Sequence, residues 1–100
     1  MSDTQPLFVV AECRAKPGLA DALRKVLHAA VTPSRGDEGV MSYVLNEDIK
    51  TPGHFIFIEH YASRDALKQH MQQPHFKTLV AESKDLIEGE FPIAMVRPVD

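Results

Sequence analysis

Apolar residues along this chain change period in a fixed order: every second residue, then about every 3.6, then two alternating runs, about 3.6 again, and a last alternating run. Leu7 to Ala15 (LFVVAECRA) places Leu7, Val9, Ala11 and Cys13 on one face and Phe8, Val10, Glu12 and Arg14 on the other. Pro17-Gly18 ends that strand. From Leu19 the spacing is helical, with Leu23, Val26, Leu27, Ala30 and Val31 on one stripe and Asp21, Arg24, Lys25 and His28 opposite. Pro33 and Gly36 predict closure near Ser34. Val40 to Asn46 alternates again, Met41, Tyr43 and Leu45 against Ser42, Val44 and Asn46. A connection containing Thr51-Pro52-Gly53 leads into His54 to Tyr61 (HFIFIEHY), its partner in a long-looped hairpin. Ser63 is placed to cap the next helix, with Asp65 in the first turn. Leu67, His70 and Met71 share a face there. Pro74 then breaks the helix and starts a second piece, with Phe76, Leu79 and Val80 inward and Gly89 as its expected end. Phe91 to Arg97 reads as the last strand.

The order β-α-β-β-α-β, with right-handed crossovers, predicts an α+β fold of ferredoxin-like type: a four-stranded antiparallel sheet with both helices on one face. The 100 residues read as one domain, with a core over about 7–98. One face of such a sheet is normally polar. Here Phe55, Phe57 and Tyr61 occupy one face of their strand while Ile56 and Ile58 occupy the other, and the first and last strands are also apolar on both faces. The helices cover only one side, so a homodimer packed sheet to sheet is expected to cover the second. The formal net charge of −3 lacks the basic excess of a nucleic-acid or anionic-membrane binder. No apolar run approaches the roughly 20 residues that span a bilayer. Met1 to Pro6 shows no leader pattern, and the lone Cys13 forms no internal disulfide, so a cytoplasmic location is expected.

Several short motifs stand in a distinctive order: Ala15-Lys16-Pro17-Gly18, Pro33-Ser34-Arg35 followed by Glu38-Gly39, Ser42-Tyr43, and Glu59-His60-Tyr61-Ala62-Ser63 running on through Ala66-Leu67 and His70 to Pro74-His75-Phe76. In these the chain resembles the antibiotic biosynthesis monooxygenase (ABM) family of dimeric α+β barrels over roughly residues 8 to 97. The resemblance implies a pocket between helices and sheet in each subunit. It also implies one of several chemistries: oxygenation of quinols or polyketide anthrones without metal, flavin or haem, haem degradation, or isomerisation of a quorum signal. The haem-degrading branch carries an Asn on the first strand and a Trp where this chain has Tyr61. This chain has neither. No cofactor is therefore expected, and the expected partners are a small aromatic substrate and molecular oxygen.

Oxygenation without a cofactor requires a base to ionise a phenol, an apolar slot for the ring, and little water. His70, inward by its spacing from Leu67 and Met71, is the first candidate base; a buried histidine bonded to backbone or to Glu59 is the plain alternative. His75 follows Pro74 in the first turn of a helix, where the dipole disfavours its charged form, while the end of the preceding helix favours charge on His70. Glu59 breaks an apolar face and is a candidate to orient a histidine or accept a proton; the plain alternative is an ion pair with Arg14 or Arg35. Tyr43 and Tyr61 are candidate hydrogen-bond donors to a substrate oxygen. Phe55, Phe57, Phe76, Met41 and Met95 are candidates for the ring slot, although core packing alone also explains each. His60 is expected at the dimer interface, and His28 and His54 in solvent. No metal site is expected: His70 and His75 are five apart, about 140° around an ideal helix, and would not converge without the Pro74 break. The same histidines would also serve a proton-transfer isomerase of a small hydroxy-ketone, or merely support a non-catalytic protein that binds small aromatics.

Overall fold

A computed structural model describes residues 5–100. The leader reading, which depends on Met1 to Thr4, lies largely outside them. The elements are β1 Leu7–Ala15, α1 Ala20–Ala29, α2 Val31–Arg35, β2 Val40–Glu47, β3 His54–Tyr61, α3 Arg64–Met71, α4 Pro74–Ser83, β4 Ile87–Glu88 and β5 Ile93–Val96. The sheet is antiparallel in the order β2-β3-β1, and the far edge of β1 is shared. There β4 pairs with Arg14 and Ala15, and β5 pairs with Phe8 to Ala11. The ferredoxin-like α+β arrangement is as expected, but the sheet has five strands rather than four, a two-residue β4 preceding the expected last strand, which is β5.

Each departure from the expected elements has a local cause. The helix expected to run to Ser34 breaks at Ala30, because Pro33 has no N–H for the Ala29 carbonyl and its ring crowds that oxygen. The helix expected to reach Gly89 stops at Ser83. Gly89 instead takes a left-handed turn (φ 74°) after β4, and Pro92, which cannot donate to the ladder, separates β4 from β5. At the start of β2 the pairs Val40↔Tyr61 and Ser42↔His60 are consecutive on β3, so Met41 is an extra, bulged residue. The bulge turns Met41 out to 63% exposure and leaves Val40, Tyr43 and Leu45 on the inner face.

Local stops and starts elsewhere follow the chain's chemistry. Ser63 Oγ accepts the Ala66 amide at 3.1 Å, and Pro74 occupies the first turn of α4 after an extended Gln73. The inner face of β1 (Leu7, Val9, Ala11, Cys13) packs with Leu23, Leu27, Leu67 and Leu79 of the helices to form the core. Gly39 enters β2 with φ 83°, and a β-carbon there would overlap the Ala66 methyl, so only glycine lets β2 pass this close to α3. On the other face of the sheet no element among the described residues covers Val44, Ile58 and Val96, each more than two-fifths exposed. No helix among the described residues is long and apolar enough to cross a membrane.

Candidate functional site

Between the inner face of the sheet and helices α3 and α4 lies a cavity of about 360 Å³. Its walls are apolar, formed by Val9, Ala11, Phe57, Phe76, Leu79 and Phe91 among others, and Met95 and the exposed Lys84 also border it. Tyr43, Glu59 and His70 supply most of its polar chemistry. Such a cavity suits a flat apolar body with oxygen substituents at one end.

His70 sits in the last turn of α3 at 2% exposure. Its Nδ1 is 2.9 Å from Asp37 Oδ2, an oxygen that also lies 2.7 Å from His75 Nε2. With the carboxylate accepting at Nδ1, a neutral His70 carries its lone pair at Nε2. Tyr43, Tyr61 and Phe76 pack around the ring with centroids 5.4, 5.6 and 5.3 Å away. Burial holds His70 below the ordinary imidazole range, against the opposing pull of Asp37. Desolvation therefore opposes the charged form that the helix end was expected to favour.

Glu59 is 6% exposed, and its Oε1 accepts the Tyr61 hydroxyl at 2.5 Å. Among the described residues no cation reaches it. Arg35 donates to the Tyr43 carbonyl instead, at 3.0 Å, and Arg14 points to solvent. Desolvation raises the Glu59 carboxyl to about 7, the Tyr61 hydrogen bond offsetting only part of that rise. Burial likewise raises both Tyr43 and Tyr61 well above the usual phenol range, so both remain hydrogen-bond donors at neutral pH.

The remaining expected residues divide. Tyr43, Phe57, Phe76 and Met95 border the cavity. Tyr61 reaches it through Glu59 and His70, and His75 acts through Asp37 rather than at the wall. Two assignments are corrected. Met41 is bulged outward, and Phe55 is a core residue beneath the Arg24 guanidinium, 5.5 Å from its ring centroid. His54, expected in solvent, is largely buried between Glu12 (2.9 Å) and Asp48 (3.2 Å). His60 stacks on Phe8 on the uncovered sheet face. Asp37 was not predicted. It lies in a polar connection ahead of Gly39, and nothing in its local pattern links it to residues 70 and 75. The straight-helix separation of His70 and His75 does not hold either, because the break at Pro74 turns both rings toward Asp37.

A ferredoxin-like sheet with helices closing over an apolar cavity, and with buried His70 and Glu59 at its wall, defines an α+β domain with a polar cluster set in an apolar pocket. The chain belongs to the antibiotic biosynthesis monooxygenase (ABM) family, whose model matches residues 6–82. It is 33% identical over 97 residues to Rv0793 of Mycobacterium tuberculosis, covering 97% of this chain and 95% of that one. The solved structure of Rv0793 superposes with a TM-score of 0.90 over 96% of this chain and 97% of its own. PA3566 from Pseudomonas aeruginosa matches at 30% identity and a TM-score of 0.90, covering 98% of each chain. A structure described as an antibiotic biosynthesis monooxygenase matches at 30% identity and a TM-score of 0.88, covering 94% of this chain and 99% of that one.

Proposed function

We propose that this protein is a cofactor-independent monooxygenase of a small aromatic hydroquinone or phenol, acting as a cytoplasmic single-domain homodimer. The observation that carries the chemistry is His70, buried at the cavity with Nδ1 held by Asp37. In this reading Nε2 of His70 takes the substrate hydroxyl proton, which raises electron density on the ring. The ring passes an electron to O2, and the two radicals join through a new bond between a ring carbon and oxygen. His70 returns its proton to the distal oxygen of this peroxide; loss of the hydrogen on that carbon as a proton, and of the distal oxygen as hydroxide, leaves a ring carbonyl. One oxygen atom enters the product, the other leaves as water, and O2 is the sole oxidant. Glu59, half-protonated near pH 7, is suited to give the departing hydroxide its proton. Phe57 and Phe76 flank the ring, and Tyr43 offers a hydrogen bond to its oxygen.

Oxygen uptake by metal-free protein, offered a panel of hydroquinones and dihydroxynaphthalenes, tests this reading against a no-protein control. Uptake above spontaneous oxidation, with one oxygen atom from 18O2 in the product, is the expected result. Turnover of a hydroxy-ketone without oxygen consumption would replace it with the isomerase reading, and tight binding without turnover by a sequestering role.

The homodimer reading is supported by the uncovered apolar residues Val44, Ile58 and Val96. Light scattering should give double the 11.2 kDa chain mass, and Ile58→Glu should halve it. A wild-type monomer at micromolar concentration would refute the dimer.

A further inference from the structure

Asp37, His70 and His75 present three donor atoms, one each, that all lie within 4.8 Å of one another. They arrive from separate places in the fold: the connection after α2, the last turn of α3 and the first turn of α4. The convergence depends on the Pro74 break, since an unbroken helix would hold the two rings apart. Both histidine nitrogens already lie within 3 Å of the same carboxylate oxygen, at 2.9 and 2.7 Å. Tetrahedral zinc, with bonds of about 2.0–2.2 Å, sets its ligand atoms about 3.3 Å apart. To admit an ion the two nitrogen–oxygen separations must open by about half an ångström, while the separation of the two nitrogens, at most 4.8 Å, settles toward the same spacing. The Asp37 and His75 side chains are 12% and 19% exposed, so the cluster has an approach from solvent. Two imidazoles and one carboxylate suit a borderline cation such as Zn2+, leaving a fourth position for water.

We propose that Asp37 Oδ2, His70 Nδ1 and His75 Nε2 form a three-ligand site for a first-row divalent cation, with Zn2+ the ion it takes, and that occupancy of this site switches off the base. The binding stands on geometry alone, whereas the switch rests on the base reading of His70. A neutral imidazole has one ring proton. When Asp37 accepts the proton at Nδ1, the lone pair is at Nε2. When zinc takes Nδ1, that proton must move to Nε2, which becomes a donor and no longer accepts a proton from substrate. His75 changes in the opposite order, its proton passing from Nε2 to Nδ1. No net proton need leave either neutral ring, and the cation replaces two hydrogen bonds to Asp37 with three coordinate bonds, one to each ligand atom.

The test is calorimetric titration of metal-stripped protein with ZnCl2, together with long-range 1H-15N spectra of the histidine rings. The expected result is one Zn2+ per chain, with His70 Nδ1 and His75 Nε2 shifting together while His28 and His60 do not. His75→Gln and Asp37→Asn should each weaken binding more than about tenfold, with far-UV circular dichroism confirming their fold. The wild-type spectra locate the ion even if a variant fails to fold. Absence of binding, or shifts confined to other histidines, would overturn the site. Binding at these atoms with no loss of oxygen uptake would overturn the switch. Because binding is measured without substrate, absence of turnover in the metal-free protein would count against the monooxygenase reading alone.

Discussion

His70→Ala is expected to lower turnover of any hydroquinone the protein oxidises by about 10²–10⁴-fold, the usual contribution of a positioned general base. Asp37→Asn should approach the same loss without touching substrate, because Asp37 is not among the residues bordering the cavity. The carboxylate accepts at Nδ1 and so keeps the lone pair at Nε2; an amide in its place can donate to Nδ1 and stabilise the opposite tautomer. Asp37 is thus a positioning residue. Its signature is a fall in kcat with little change in substrate dissociation constant, whereas a merely structural role would weaken binding and lower the melting temperature together. Stopped-flow oxidation and equilibrium binding on the same variants separate these outcomes. Unchanged kcat in Asp37→Asn would remove the His-Asp pair from the mechanism.

Glu59→Gln should change the pH dependence of stability by about 3 kcal/mol. The Glu59 carboxyl is raised from its ordinary 4.5 to about 7 in the folded protein, mainly by burial. Between those values the native state holds a proton that the unfolded chain has released. Stability from this group is therefore fully present below pH 4.5 and is lost as pH rises through 7, after which the penalty is constant. A glutamine keeps an acceptor for the Tyr61 hydroxyl and has nothing to ionise. Urea unfolding at a series of pH values should show wild type and Glu59→Gln diverging across this window, with the variant the more stable at pH 8. His70, which burial holds below its ordinary 6.5, is common to both proteins and cancels in their difference. Parallel curves would mean that the carboxyl keeps its ordinary proton affinity in the folded protein and is ionised at neutral pH, and the acid role assigned to Glu59 would fall with it.

Much of the fold is legible along the chain because alternation and helical spacing report which face of each element is buried. Ser63 and Pro74 mark their boundaries through local hydrogen bonding and ring geometry, and both act where expected. The errors also arise from local features, weighed against the wrong competitor. Pro33 splits a helix whose apolar stripe runs through it, and one bulged residue at Met41 resets the alternation of β2. In the last third, residues expected to carry the helix on to Gly89 form the short strand β4, and the strand expected from Phe91 begins only after Pro92.

The inward placement of His70, the apolar inner wall and the apolar second face of the sheet were determined by the sequence alone, since side-chain direction within one element follows from its period. Asp37 was beyond it. Its partners lie 33 and 38 residues further along the chain, and only the packing of α3 and α4 against the connection before β2 brings them together. The Glu59 proton affinity was likewise decided in three dimensions. Desolvation depends on what surrounds a group from every side, and the ladder, the helices and Tyr61 supply those surroundings from elements that the sequence near residue 59 does not name.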